Sequence, residues 1–122
     1  MKRAILDYIN DILDAMTKAQ EFIQGLSYNK FLKDVKTQFA AVRAIEIIGE
    51  AAKNIPVSVR KKYPQIPWRE ISGMRDKIVH EYFGLNQKVI WRTLKEDIPT
   101  VKPLFERLRE DYLHESSLYS SS

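Results

Sequence analysis

The sequence predicts an all-α fold, an up-and-down bundle of four to five helices. Three observations carry this. Apolar residues recur at steps of three and four through two long stretches. Those stretches meet at a short turn, so their helices should pack antiparallel. Only four glycines and five prolines punctuate 122 residues, with 44% hydrophobic and 30% charged, a globular rather than a disordered balance.

The first helix is expected from about Lys2 to Gln24. Ile5, Ile9, Ile12, Met16, Ala19 and Ile23 form its apolar stripe, Asp7, Asp11, Asp14 and Lys18 its polar face, and Gly25 its stop. Ser27 or Asn29 can cap a second helix of about 26 residues, with Phe31, Val35, Phe39, Val42, Ile45, Ile48, Ala52 and Ile55 as its stripe up to Pro56. Ala40, Ala41, Ala44, Gly49, Ala51 and Ala52 allow close helix approach along this seam. A turn or two follows over Val57 to Tyr63, then an extended connector through Pro64. Pro67 suits the first position of a third long helix, with Trp68, Ile71, Met74, Ile78 and Val79 buried. Asn86 can cap a fourth, through Val89, Ile90, Trp91, Leu94 and Ile98, which Pro99 should end or kink before Val101, Leu104, Leu108 and Leu113. One domain over 1–113 is expected, with 114–122 a frayed, disordered tail.

Composition excludes several chemistries. Without cysteine there are no disulfides, thiolate nucleophiles or cysteine-bound zinc, and a reducing cytoplasm fits. The acidic residues among the first 14 interrupt any apolar core for a signal peptide or membrane span, so a cytoplasmic protein with no membrane partner is expected. The net charge of +4 favours polyanions only weakly. The glycines, at 25, 49, 73 and 84, are too dispersed for a phosphate loop. His80 and His114 are far apart in sequence, and the carboxylate pairs lie among lysines and arginines, so neither a metal site nor a cofactor is expected.

Chemistry concentrates in Met74-Arg75-Asp76-Lys77-Ile78-Val79-His80-Glu81-Tyr82-Phe83-Gly84. Arg75 can clamp a phosphate with a fork of donors, His80 can carry a proton near neutrality, and Tyr82 offers a hydroxyl. On a regular helix Arg75 and Tyr82 project within about 20° of each other, whereas His80 points about 140° from Arg75. Either the helix deforms near Gly84 or two copies assemble the site across a two-fold axis. Arginine with histidine suits RNA phosphodiester cleavage, His80 moving a proton at the 2′-hydroxyl or leaving oxygen and Arg75 stabilising charge on the phosphoryl oxygens. Arg60, Lys61, Lys62 and Lys77 are candidate phosphate contacts. A plainer alternative also stands: Arg75 pairs with Glu46 or Glu50 of the neighbouring helix, and His80 and Tyr82 are ordinary helix-end residues.

The run Arg75 to Tyr82 strongly resembles the HepT-like branch of the HEPN superfamily, whose signature is arginine, four residues, histidine, one residue, tyrosine. Ala44 to Lys53 looks like that family's second long helix, and Pro67 to Met74 like its approach to the motif. The resemblance implies a helical bundle that dimerises around the motif helix, higher oligomers being left open, and a toxin of a toxin–antitoxin pair that cleaves RNA without metal. By position, Arg75 and His80 would be catalytic, Asp76 the supporting polar residue, and Tyr82 the acceptor of AMP from a minimal nucleotidyltransferase (MNT-type) antitoxin. Two positions depart from the common pattern: Asp76 stands where many members have Asn, and Asn86 where many have Asp. The rival expectations are a non-enzymatic helical module holding a nucleotide or a nucleotidyltransferase, and an assembly scaffold without a site.

Overall fold

The computed structural model describes the backbone of residues 3–83 and 86–120, and the side chains of 3–76 and 86–115. Its elements are α1 (Ile5–Phe22), α2 (Tyr28–Leu32), α3 (Val35–Lys53), α4 (Val57–Arg60), α5 (Trp68–Phe83), α6 (Gln87–Arg92), a π turn (Thr93–Asp97) and α7 (Ile98–Ser120). Among the described residues there is no strand. The all-α class holds. α1 packs on α3 and α7, and α3 packs on α5.

α1 begins where the Asp7 carboxylate accepts from the Ala4 amide at 3.1 Å, and the chain turns beyond it at Gly25 with φ 78°. That left-handed conformation is costly for any residue with a Cβ. Ile9, Ile12, Met16 and Ala19 are buried as the periodicity requires.

The expected single second helix is instead two. Ser27 caps α2, and the chain breaks at Lys33 because Asp34 starts a new helix. The Asp34 carboxylate accepts from the Thr37 amide at 3.0 Å and from its hydroxyl at 2.7 Å, bonds that hold its pKa below the ordinary carboxylate value. The Gln38 side-chain amide donates to the Phe31 carbonyl at 2.8 Å, binding the two pieces across the break. Within α3 the buried face runs through Gln38, Ala41, Val42, Ile45 and Ile48, and Val35 and Phe39, expected inside, fall beyond its edge and are each 58% exposed. Asn54 ends α3 and Pro56 follows it.

α4 and the connector are tied to the bundle from two directions. The Trp68 indole donates to the Tyr63 carbonyl at 3.0 Å and its ring meets Phe105 edge-on at 5.4 Å. The Tyr63 hydroxyl donates to Asp111 on α7 at 2.8 Å. Partial burial, then the Asp111 hydrogen bond and charge, pushes the Tyr63 pKa up to about 12. Pro67 precedes α5 and its carbonyl accepts from the Ile71 amide.

Asn86 caps α6 as expected, its side chain accepting from the Val89 amide at 3.3 Å. Helical backbone continues through Pro99, which does not end it. Pro99 has no N–H to continue an α-helical ladder, and immediately before it the chain widens into the π turn, closed by Ile98 N–H to the Thr93 carbonyl. In α7 Phe105 is fully buried, a core residue outside the expected set, and Leu113, expected inside, is 45% exposed. Helical backbone continues past His114 to Ser120; the side chains of 116–120 and residues 121–122 lie outside those described. Among the described residues no helix is long and apolar enough to cross a membrane.

Candidate active site on the α3–α5 seam

α5 carries the whole motif on continuous helical backbone from Trp68 to Phe83. What fixes its first half is the approach of α3. A Cβ built on Gly49 would lie 3.1 Å from the Arg75 Cβ and 3.4 Å from both the Arg75 amide nitrogen and the Ile71 carbonyl oxygen. Any side chain here would need the neighbouring helix to shift.

That proximity aligns charges. Glu50 Oε1 pairs with Arg75 Nη1. One turn along, Lys53 Nζ lies 3.8 Å from Asp76 Oδ2, and in the other direction Arg43 pairs with Glu46 at 3.4 Å. Arg43, Glu46, Glu50 and Lys53 step by three and four along one stripe of α3, and its last two members, Glu50 and Lys53, meet α5. The Arg75 and Glu50 side chains are 41% and 49% exposed, so the pair is screened and contributes on the order of 0–1 kcal/mol to folding. The guanidinium is therefore held at the seam yet open to solvent. Lys53 partly neutralises the acid that Asp76 sets beside Arg75.

Other expected site residues stand differently. The Arg60 Nε donates to the Ile55 carbonyl at 2.9 Å, closing off the chain just beyond α3, while Lys61 and Lys62 are exposed. Lys77, His80 and Tyr82 belong to α5 by their backbone, and their side chains lie outside the described residues, as do those of Ile78 and Val79. Gly73 and Met74 border an open cleft of about 880 Å³ between α5 and the α6–α7 segment, and Arg69, Glu70, Arg92 and Glu96 line it too. α5 is helical as far as Phe83, and the expected deformation near Gly84 falls outside the described residues.

The plainer alternative for Arg75 is thus realised in part: it pairs with Glu50, not Glu46. The Lys53–Asp76 contact and the Gly49 approach were not foreseen, although the stripe of charges on α3 was present to be read. Among the described residues no group of three or more His, Asp or Glu side chains is arranged to hold a metal ion.

An all-α bundle with the Arg-x4-His-x-Tyr sequence on its fifth helix defines a HEPN-like protein. Comparison with known proteins narrows the class. The family described as Ribonuclease HepT-like matches residues 12–108, and the chain belongs to that family. It is 52% identical to "Probable ribonuclease HepT" of Thermococcus cleftensis over 110 residues, covering 90% of this chain and 100% of that one. Two further relatives each carry the printed name "Putative RNase". The one from Methanocaldococcus jannaschii is 42% identical over 90% of this chain and 91% of its own length. The other, from Caldanaerobacter subterraneus subsp. tengcongensis, is 45% identical over 78% and 85%. No solved structure gives a significant match.

Proposed function

We propose that this protein is a metal-independent endoribonuclease, the toxin of a toxin–antitoxin pair, working in the cytoplasm as a homodimer with Arg75 and His80 as its catalytic pair. The observation that carries the reading is a solvent-open guanidinium, paired with a neighbouring helix, on a chain that belongs to a ribonuclease family and at the arginine of the motif by which its sequence resembles that family.

The 140° between Arg75 and His80 favours a composite site, in which the two-fold pairing of α5 helices sets the arginine of one copy beside the histidine of the other. In the reaction, His80 accepts the proton of the ribose 2′-hydroxyl, the 2′-oxygen attacks phosphorus, and the bond to the 5′-oxygen breaks. A second His80, from the other copy, protonates the leaving oxygen. Arg75 stabilises the charge growing on the non-bridging oxygens. Asp76 supports the polar setting, and Lys61, Lys62, Lys77 and the remaining donors of Arg60 contact flanking phosphates.

On a regular helix residues seven apart share a face, so AMP transferred to Tyr82 by an MNT-type nucleotidyltransferase antitoxin would put a phosphodiester on the face of Arg75. The added group blocks RNA by charge and by bulk. The test is cleavage of RNA in chelator by wild type, Arg75→Ala and His80→Ala, with the mass of the Tyr82 peptide measured in the same samples. Loss of cleavage by at least about 100-fold in both variants, with folding retained, is expected. Cleavage by pure His80→Ala, or none by folded, unmodified wild type, overturns the reading.

A further inference from the structure

We infer that Glu50 is a positioning residue for Arg75, holding the guanidinium so that its remaining donors face an RNA phosphate; this rests on the ribonuclease reading above. Three features converge on the same turn of the seam. Gly49 brings the α3 backbone so near that an added Cβ would sit 3.1 Å from the Arg75 Cβ, which fixes where the arginine side chain starts. Glu50, the next residue, engages Nη1, which constrains where it ends. Arg75 makes no other ion pair or hydrogen bond among the described residues, so Nε and Nη2 are left to donate. Lys53 meanwhile pairs with Asp76, drawing the adjacent carboxylate away from competition for the arginine.

The mechanism needs this. An arginine side chain has several rotatable bonds, and a half-exposed one samples many rotamers unless tethered. A phosphate in the transition state gains most from donors already aimed at it. Glu50 also borders a groove of about 220 Å³ with Arg3, Tyr8 and Arg43, so the anchoring carboxylate is reached from the α1 side. If Glu50 acts by orientation, its loss lowers turnover more than RNA affinity. If it competes with phosphate, its loss improves both.

The experiment compares kcat and KM of wild type, Glu50→Gln and Glu50→Ala for RNA cleavage in chelator, alongside the NMR order of the Arg75 Nε–H group in each folded protein. In Glu50→Ala we expect kcat to fall about tenfold or more, equivalent to about 1.4 kcal/mol, with KM changed less than about threefold. Glu50→Gln, which keeps an acceptor, recovers most of the turnover, and the Arg75 Nε–H loses order only in the alanine variant. An unchanged or raised kcat in Glu50→Ala, with an active wild type, overturns the positioning role and leaves the ribonuclease reading standing. A wild type that cleaves nothing overturns that reading instead. The NMR arm then decides for Glu50: equal order in wild type and Glu50→Ala refutes the tether, and order lost on truncation sustains it.

Discussion

Replacing Gly49 by alanine tests whether the α3–α5 seam is as tight as its geometry indicates. Two effects oppose each other. Alanine is the better helix former by about 1 kcal/mol in a helix interior. Against that, its Cβ would meet the Arg75 Cβ at 3.1 Å, with two backbone atoms at 3.4 Å. The 3.1 Å contact is with a Cβ fixed to a packed helix, and backbone atoms cannot swing aside, so relief requires moving α5 as a body. Overpacking of this kind costs about 1–3 kcal/mol. The contact is short by only a few tenths of an ångström, so the lower half of that range applies, and after the propensity gain the expected net loss is about 0.5 kcal/mol. For a chain of this length that is a fall of about 2 °C in melting temperature. Gly73, on α5 itself, is the internal control: no described atom lies within 4 Å of a Cβ built there, and the residue is exposed. Gly73→Ala should raise the melting temperature by about 2–4 °C through propensity and a less flexible unfolded chain. Thermal unfolding of the two variants beside wild type reads both signs at once. If Gly49→Ala melts as high as Gly73→Ala, the seam has slack, and the placement of Arg75 argued from it fails.

Tyr63, whose pKa is pushed up to about 12, holds its proton longer folded than unfolded, so its contribution to stability is complete below the ordinary tyrosine value near 10 and is lost as pH rises from there towards 12. Tyr63→Phe should flatten that alkaline decline in denaturant titrations, at a cost near neutrality of about 1 kcal/mol; an identical alkaline slope in both proteins would contradict it. Asp34 runs the other way. Thr37 holds its pKa down, so its capping contribution is present above the ordinary carboxylate value and falls away on acidification, a dependence that Asp34→Asn should weaken. Gln38→Ala removes the buried link to the Phe31 carbonyl, which still accepts from the Asp34 amide, and should cost about 1–2 kcal/mol in chemical denaturation, whereas a neutral result would mean that Asp34 alone secures the break.

The sequence by itself determined the helical class, most element boundaries and the motif. Those rest on local signals: Gly25 can adopt a positive φ, Asn86 carries its own capping oxygen, and the α1 stripe needs only its own periodicity. The same local reading contained an unused sign of the α2–α3 break, since Asp34 followed three residues later by Thr37 is a capping pattern. Tertiary structure decided the rest. Whether Arg75 paired with Glu46 or Glu50 depends on the axial offset of two helices, which spacing within either helix cannot give, and the absence of a side chain at Gly49 sets how near they come. The π turn before α7 is likewise read only from the folded chain, whereas Phe105, four residues after Val101, is buried and Leu113, about 140° round from Leu108, is exposed by the ordinary spacing of that helix.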